Sequence, residues 1–302
     1  MPDADLAATV ANPEDVHAVV MFSGGAVSWG TAKRAAARHP KRLTLLFCDT
    51  STEEPDLYRF VREGAANVGG NLVWLKDGRD VWDVMRDVRL VGNSRIAPCS
   101  RILKQVPARR WVKANCDPAT TLLYVGLEWT EAHRVEPVRR NWAPWPVALP
   151  LVEEKPYLSK PEIIDWIRAE GLTPPLAYAE GRPHNNCGGF CVRAGQGEFA
   201  RLYRQHPERY AYHERREGEM RELLGDVAVL RDRGGGETRP LSMTEFRERL
   251  VSGDDQLDLF DFGGCGCFTG SEDALPGDAE IVREGPLYTR GHATFARPVA
   301  PR

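Results

Sequence analysis

The sequence predicts an α/β protein with a doubly wound, mainly parallel sheet, followed by a smaller, mostly helical module that contains cysteines. Short apolar runs alternate with helical patterns through residues 15–180, which is typical of parallel strands joined by crossover helices. Beyond that range the composition changes to cysteine and glycine and then to charged helical segments. We therefore predict an α/β domain at 15–180, a cysteine-containing module at 181–270 and a tail without clear periodicity at 271–302.

The first strands and helices set the pattern of the sheet. An apolar run at 18–22 predicts a strand, and the alanine-rich segment 29–39 predicts the helix that follows it. A second apolar run at 43–48 predicts the next strand. Ser51 and Glu54 have the spacing of a capping box, so we expect the second helix to begin there.

The later elements are predicted from the same strand and helix patterns, and two of the helices also carry capping-box spacing. The predicted segments are strands at 72–75 and 121–127, and helices at 101–114, after Ser159, at 208–224 and after Ser242. The helix after Ser159 should pack on the sheet, because Ile163, Ile164 and Ile167 lie on one of its faces.

Composition favours a soluble protein of the cytoplasm. Hydrophobic residues make up 42% and charged residues 27% of the 302, and no apolar run approaches the roughly 20 residues that span a bilayer. Residues 1–14 carry several acids and do not resemble a secretory signal. A net charge of -3 gives no global argument for nucleic-acid binding. A local basic cluster, which is either a binding patch or a solvated helix face, comprises Arg101, Lys104, Arg109, Arg110 and Lys113.

A short run of small residues between the first strand and helix has the design of a phosphate-binding loop. The run is Ser23, Gly24 and Gly25, with Ser28 one turn later. Such residues let backbone N–H groups converge on an anion, and the helix N-terminus adds its partial positive charge. The alternative is an ordinary turn between strand and helix. The position directly after a buried strand favours the phosphate site.

These residues resemble the PP-loop superfamily, which includes the N-type ATP pyrophosphatases and the adenylylsulfate and phosphoadenylylsulfate reductases. Many members carry Ser-Gly-Gly-x-Asp-Ser, and this chain departs from that pattern only at Val27, which stands at the acidic position. The resemblance implies an adenine nucleotide alpha hydrolase-like fold and an ATP site with Mg²⁺. The departure leaves open any metal role of the missing aspartate.

The resemblance extends over roughly residues 18–195. Asp49 and Thr50 stand where the reductases have a strand that ends in Asp-Thr beside the adenosine. Gly126 and Arg134 lie in a segment similar to their Gly-Leu-Arg segment. The resemblance thus implies that Asp49 and Thr50 flank the nucleotide and that Arg134 faces its phosphates. Asp49 is alternatively a helix-capping residue.

Three separated groups contain five of the seven cysteines: Cys99, then Cys187 and Cys191, then Cys265 and Cys267. Grouped cysteines in a reducing compartment indicate metal or redox chemistry rather than disulfides. Cys99 and the second group resemble segments of the iron-sulfur adenylylsulfate reductases. Our preferred assignment is a 4Fe-4S cluster on Cys99, Cys187, Cys191 and either Cys265 or Cys267, with Cys267 as the named ligand. Zinc takes the same ligands, and unliganded thiols are the third possibility.

The resemblance implies a PP-loop ATP pyrophosphatase of the sulfurtransferase type, which activates a tRNA or DNA for sulfur insertion. In that reading the spare thiol of Cys265 or Cys267 carries sulfur or acts as the nucleophile, and a cysteine desulfurase is the expected partner. The first alternative is an adenylylsulfate or phosphoadenylylsulfate reductase with a thioredoxin-type partner, although the usual Glu-Cys-Gly-Leu-His tail is missing. The second alternative is a non-enzymatic, nucleotide-binding redox sensor.

Overall fold

A computed structural model of the chain describes residues 15–185, 187–233, 237–253, 257–258, 260–261 and 263. Its centre is a five-stranded sheet whose described pairings are all parallel. The strands are β1 (His17–Met21), β2 (Leu43–Asp49), β3 (Asn71–Lys76), β4 (Thr121–Tyr124) and β5 (Val147–Ala148), in the spatial order β3-β2-β1-β4-β5. The chain therefore runs outward to one edge and then returns to the other side of β1.

Helices cover both faces of this sheet. The longer ones are α1 (Ala26–Arg38), α2 (Pro55–Val68), α3 (Val81–Val88), α4 (Val106–Asn115), α5 (Val135–Trp142), α6 (Lys160–Ala169), α7 (Gln196–Gln205), α8 (Pro207–Leu224) and α9 (Met243–Ser252). Short helical turns lie at Pro98–Ser100, Trp129–Arg134, Pro150–Glu153, Leu176–Ala179 and Cys187–Gly189, and a π-helical turn at Arg101–Gln105. A two-stranded antiparallel hairpin is formed by β6 (Leu230–Asp232) and β7 (Arg239–Leu241).

Alternating side chains of β1 divide the α/β region into two cores. Ala18 and Val20 belong to a core that includes α1, α2 and α6, whereas Val19 and Met21 belong to one that includes α4 and α5. This alternation follows from the two-residue period of a strand. The predicted α/β class with a mainly parallel sheet is confirmed, and helices on both faces are consistent with a doubly wound arrangement.

The second helix does not begin at the predicted capping box. Ser51 has a φ of 60°, and its backbone N–H donates to the Asp49 carboxylate at 2.8 Å. The aspartate thus closes a tight turn directly after β2, and α2 begins at Pro55. The prediction at Ser51 was wrong because a local carboxylate competes for the same backbone group. By contrast, Ser159 and Ser242 do precede helices, as predicted.

Several boundaries and two elements differ from the predictions. Helix α1 begins three residues earlier than 29, and β4 ends at Tyr124 rather than at 127. The helix predicted at 101–114 starts as a π-helical turn before α4.

Neither α3 nor β5 was predicted. Helix α3 is capped by Asp80, whose side chain accepts hydrogen bonds from the N–H groups of Trp82 and Asp83. Strand β5 has only two residues, which are too few to form a recognisable pattern.

A third core joins residues after 190 to an earlier part of the chain. Trp82, Met85 and Leu103 are buried in it together with Phe190 and Phe246. The proposed boundary near residue 180 is therefore crossed by extensive apolar packing. No helix among the described residues is both long enough and apolar enough to cross a membrane.

Candidate functional site

The predicted phosphate loop connects β1 to α1 in a conformation that requires glycine. Gly24 has a φ of 79°, and a Cβ placed on it would lie 2.7 Å from Val61 Cγ2. Ser28 organises the loop, because its hydroxyl donates to the Gly25 carbonyl at 2.9 Å and accepts from the Ser23 N–H at 3.2 Å. The loop therefore has a fixed backbone path into the start of α1, where the first N–H groups lack partners within the helix and suit an anion.

Two residues from outside the loop hold it in place. The Asn185 side-chain amide donates to the Gly24 carbonyl at 2.9 Å, and the Ala26 N–H donates to the Tyr178 hydroxyl at 2.9 Å. Asn185 is only 7% exposed. A phosphate oxygen at the helix N-terminus would compete with Tyr178 for the Ala26 N–H. Neither Asn185 nor Tyr178 was predicted to contact the nucleotide.

Gly126 lets the end of β4 approach the loop. A Cβ on this residue would lie 3.1 Å from Ser28 Cα and 3.2 Å from Ser28 N. The segment after β4 consequently packs backbone to backbone against the first turn of α1. This is the point where the strand order reverses, since β1 pairs with β2 on one side and β4 on the other. Ligands of open α/β sheets bind at such crevices.

An open pocket of about 760 Å³, including solvent at its mouth, occupies this crevice. Its lining includes five of the predicted nucleotide residues, namely Ser23, Gly25, Ser28, Gly126 and Arg134. The charged lining residues are Lys104, Glu128, Glu131, Arg134 and Lys160. Lys160 lies 2.7 Å from Glu128, and Arg134 pairs with Glu131. The phosphate loop and two ion pairs, each of which joins a cation to a carboxylate, therefore line the same pocket.

Asp49 and Thr50 are not among the residues that line this pocket. The Asp49 carboxylate accepts hydrogen bonds from the Tyr58 hydroxyl at 2.7 Å and from Trp74 Nε1 at 3.2 Å. Burial and the hydrogen bond to Asp49 raise the pKa of Tyr58. The Thr50 hydroxyl donates to Glu53 at 3.0 Å. These contacts organise the turn after β2, and direct nucleotide contact remains a prediction for both residues.

The second cysteine group forms a tight left-handed turn. Cys187, Gly188 and Gly189 have φ values of 46°, 56° and 81°. A Cβ on Gly188 would lie 2.9 Å from the Thr52 carbonyl oxygen, so the turn packs directly against the segment after β2. Its hydrogen bond with Cys191, and then burial, raise the pKa of the Cys187 thiol. The two thiols of this group are therefore neighbours.

Lys104 connects the cysteine turn with the pocket. It is 6% exposed, lines the pocket, and places Nζ 3.9 Å from Cys187 Sγ and 3.7 Å from Glu53 Oε1. Glu53 also accepts a hydrogen bond from the Cys187 backbone N–H. A single buried cation thus touches both the thiol and the space in front of the phosphate loop. Its burial contradicts the expectation that Lys104 belongs to an exposed binding patch or to a solvated helix face.

Cys99 and the second group flank a common glycine. A Cβ on Gly92 would lie 3.3 Å from Pro98 Cδ and 3.2 Å from Val192 Cγ2, the side chains next to Cys99 and Cys191. Cys99 is 8% exposed and shares a core with Phe190 and Val192. Two of the three predicted cysteine groups are therefore brought together by the fold.

Cys265 and Cys267 lie outside the described residues. Gly263, two residues before Cys265, packs against Arg193 so closely that a Cβ would overlap the Arg193 carbonyl oxygen. Arg193 is itself two residues after Cys191. The chain is thus anchored beside the second group immediately before the third begins.

The residues around the second group suit a soft, cysteine-bound metal centre. Thiolates are the ligands of iron-sulfur clusters and of structural zinc, and glycines beside them let backbone N–H groups approach sulfur. Arg182 supports this fit, because its buried Nη1 and Nη2 atoms make no hydrogen bond within the described part of the chain. Donors of this kind suit an anionic metal-thiolate group.

A different set of potential ligands lies nearby. Glu54, Glu180 and His206 offer ligand atoms within 4.8 Å of one another. Arg209 donates to Glu54, Arg182 Nε lies 3.0 Å from Glu180, and His206 Nε2 lies 2.9 Å from Glu180. These charges are therefore compensated by protein groups. We interpret the set as an ion-pair network that joins α2 to the helices after 196.

The two remaining cysteines have the character of structural residues. Burial raises the pKa of Cys48 to about 12 and that of Cys116 to about 11. The Cys48 thiol donates to the Lys104 carbonyl at 3.4 Å. Both thiols are therefore protonated and unreactive at neutral pH.

No protein-family model matches the chain, and no curated protein gives a significant match to it.

Proposed function

We propose that this chain is a PP-loop enzyme with an adenine nucleotide alpha hydrolase-like fold, which binds ATP and uses a cysteine-ligated 4Fe-4S cluster in sulfur transfer. The observation that carries the proposal is the position of Lys104, which lines the pocket at the phosphate loop and lies 3.9 Å from Cys187 Sγ. A nucleotide site and a thiol site that share one buried cation can serve a single reaction.

The loop would hold the phosphates of ATP through the first N–H groups of α1, and Arg134 and Lys160 would face the same charge from across the pocket. Mg²⁺ requires oxygen ligands, and Val27 offers none at the position where the superfamily has aspartate. Glu128 and Glu131 supply carboxylates in the same pocket. They are the candidate Mg²⁺ ligands of this chain.

In the proposed reaction an oxygen of the acceptor attacks the α-phosphorus of ATP, and the bond to pyrophosphate breaks. Hydrosulfide then attacks the activated atom of the acceptor and forms its bond to sulfur, and the bond to AMP breaks; no change of oxidation state is required. When bound, the cluster would supply an iron site for sulfur. The chain's own contribution would be to position the phosphates and to keep Lys104 between them and Cys187. Cys99, Cys187 and Cys191 would be ligands of the cluster, with Cys265 or Cys267 as the further ligand and the other of the two as the spare thiol.

A nucleic acid, either tRNA or DNA, is the acceptor that we propose. Trp129 is 49% exposed and lies between the pocket-lining residues Glu128 and Glu131. An exposed aromatic ring in the segment that lines the pocket offers a stacking surface for a base. Helix α4 carries Arg109, Arg110 and Lys113 without an acidic residue and therefore adds positive charge.

The decisive experiment is anaerobic. Iron and acid-labile sulfide are measured in the purified protein, and ATP is then offered with tRNA or DNA while AMP and pyrophosphate are monitored. Acceptor-dependent pyrophosphate release with stoichiometric iron and sulfide supports the proposal. Sulfite formation from adenylylsulfate with thioredoxin would instead identify a reductase. Nucleotide binding without turnover of either kind would identify a sensor.

A further inference from the structure

Arg182 is a buried arginine that is only partly compensated. Its side chain is 1% exposed, and Nε lies 3.0 Å from the Glu180 carboxylate. Glu180 also receives His206 at 2.9 Å. One edge of the guanidinium is therefore paired, and this pairing fixes the orientation of the group.

The opposite edge carries four N–H donors on Nη1 and Nη2. Both nitrogens are buried, and neither has a hydrogen-bond acceptor within the described residues. Burying charged donors without acceptors is unfavourable, so native proteins generally supply a partner. A further carboxylate that interacts with Arg182 is Glu198, whose pKa is raised by burial against the opposing influence of Arg201 and Arg182. Glu198 makes no hydrogen bond to the free edge.

This free edge lies on the cysteine turn. A Cβ placed on Gly189 would overlap Nη1 and lie 2.9 Å from Nη2, so glycine is required for the guanidinium to occupy this position. Gly189 stands between Cys187 and Cys191 in the chain. The donors of Arg182 are consequently held against the backbone that presents both thiols.

A second arginine at the same turn shows the contrast. Arg209 donates to Glu54 and, at 2.8 Å, to the Gly188 carbonyl, so its charge is used to fix the turn. The Nη atoms of Arg182 make no hydrogen bond to the turn, although Arg182 is the more deeply buried of the two arginines. Structural support of the turn therefore accounts for Arg209 but leaves the Nη donors of Arg182 unexplained.

We propose that Arg182 is a positioning residue whose Nη atoms donate hydrogen bonds to a sulfur-containing anion held at Cys187 and Cys191, and that position 189 is glycine to admit them. The inference rests on the metal centre in the proposed function. Donors to sulfur stabilise the more negative, reduced state of an iron-sulfur centre and so raise its reduction potential.

The test compares Arg182→Gln, Arg182→Lys and Gly189→Ala with the wild-type protein after anaerobic reconstitution with iron and sulfide. The matched control is Arg79→Gln, because Arg79 is similarly buried but both of its ends are paired with Asp77 and Asp87. We expect more negative reduction potentials in Arg182→Gln and Gly189→Ala, partial recovery in Arg182→Lys, and no change in Arg79→Gln. Iron content and the melting temperature of each metal-free variant are measured in parallel.

Each outcome decides the question. Unchanged potentials in Arg182→Gln and Gly189→Ala, with full iron content, overturn the inference and leave the proposed function intact. A shift in potential without any acceptor-dependent pyrophosphate release supports Arg182 and defeats the proposed reaction. If the wild-type protein takes up zinc and not iron, zinc affinity in chelator competition replaces the potential, and equal affinities overturn the inference. Failure of the wild-type protein to bind either metal overturns it as well.

Discussion

The side-chain amide of Asn185 donates a 2.9 Å hydrogen bond to the carbonyl of Gly24, so a residue two positions before Cys187 holds the phosphate loop. The hydrogen bond therefore links the phosphate loop to the cysteine turn formed by Cys187, Gly188 and Gly189. Lys104 joins them a second time through charge, since it reaches both Cys187 and the pocket. The variants of Asn185, Gly25 and Cys187 below test this link between the cysteine turn and the loop, and a separate pH measurement tests the buried His213.

The first prediction concerns Asn185. In Asn185→Leu the Gly24 carbonyl loses its buried partner, and loss of such a bond costs about 1–2 kcal/mol. We expect roughly a tenfold weaker affinity for ATP in calorimetric titration. The control is Asn67→Leu, because Asn67 donates to Glu170 at an exposed site away from the loop. Equal ATP affinities in the two variants would show that Asn185 does not shape the nucleotide site.

The second prediction concerns Gly25. A Cβ there would lie 3.3 Å from the Tyr178 hydroxyl, and the branched side chain in Gly25→Val would fill the space that a phosphate must enter. ATP binding should be lost, while iron content and the circular dichroism spectrum stay as in the wild type. Gly218→Ala is the control, because nothing lies within 4 Å of a Cβ at Gly218. Undiminished ATP affinity in Gly25→Val would remove the phosphate-loop hypothesis.

The third prediction concerns pH. His213 stacks on Phe190 with ring centroids 3.8 Å apart and accepts from Trp82 Nε1 at 2.9 Å. Burial, and then Arg209 and Arg216, lower the pKa of His213 to about 3. In the unfolded chain histidine has a pKa near 6.5. The contribution of His213 to the free energy of unfolding is therefore fully present above pH 6.5 and decreases as the pH falls toward 3. At pH 5 the loss from this residue is about 2 kcal/mol.

In His213→Gln this pH-dependent loss should disappear. The difference in melting temperature between pH 7 and pH 5 is measured for the variant and the wild type. Glu217 acts in the opposite direction, because burial raises its pKa to about 6 and its stabilising effect is lost as the pH rises past that value. Its contribution is common to both proteins and cancels in the comparison. Identical pH profiles would contradict the prediction.

The fourth prediction concerns the metal centre. A ligand present at 100 times its dissociation constant stabilises the folded state by about 2.7 kcal/mol, so chelation or Cys187→Ser should lower the melting temperature and speed proteolysis after residue 190. Cys48→Ser is the matched control, because serine can donate the same hydrogen bond to the Lys104 carbonyl and Cys48 is not a predicted metal ligand. Iron content, visible absorbance and protease resistance that are all unaffected by Cys187→Ser would refute the shared site.

The sequence predicted those features that depend on neighbouring residues. Ser23, Gly24, Gly25 and the strand before them form a local pattern, and the structure places the loop where the pattern required. The Ser51 capping box failed because the carboxylate of Asp49 was equally local and formed the stronger turn. Local sequence preferences do not decide between the capping box at Ser51 and the turn closed by Asp49, because the choice depends on how the surrounding residues pack.

The features that sequence could not predict are contacts between distant residues. Asn185 and Gly24 are 161 positions apart, and Lys104 and Cys187 are 83 apart. Nothing in the local pattern distinguishes Asn185 from an ordinary turn-forming residue, since asparagine is common in turns. Only the tertiary fold distinguishes a turn residue from one that holds the phosphate loop.

The core that unites Trp82, Met85 and Leu103 with Phe190 and Phe246 also constrains how the chain folds. A fragment that ended at residue 180 would present the first three side chains to water, and a fragment that began there would do the same with the last two. Neither half has a complete apolar interior, so the two are expected to unfold in one cooperative transition. Loss of metal from the proposed site at the cysteine turn would then also destabilise the proposed nucleotide site, because both would belong to one cooperative unit. No movement of a hinge would be needed.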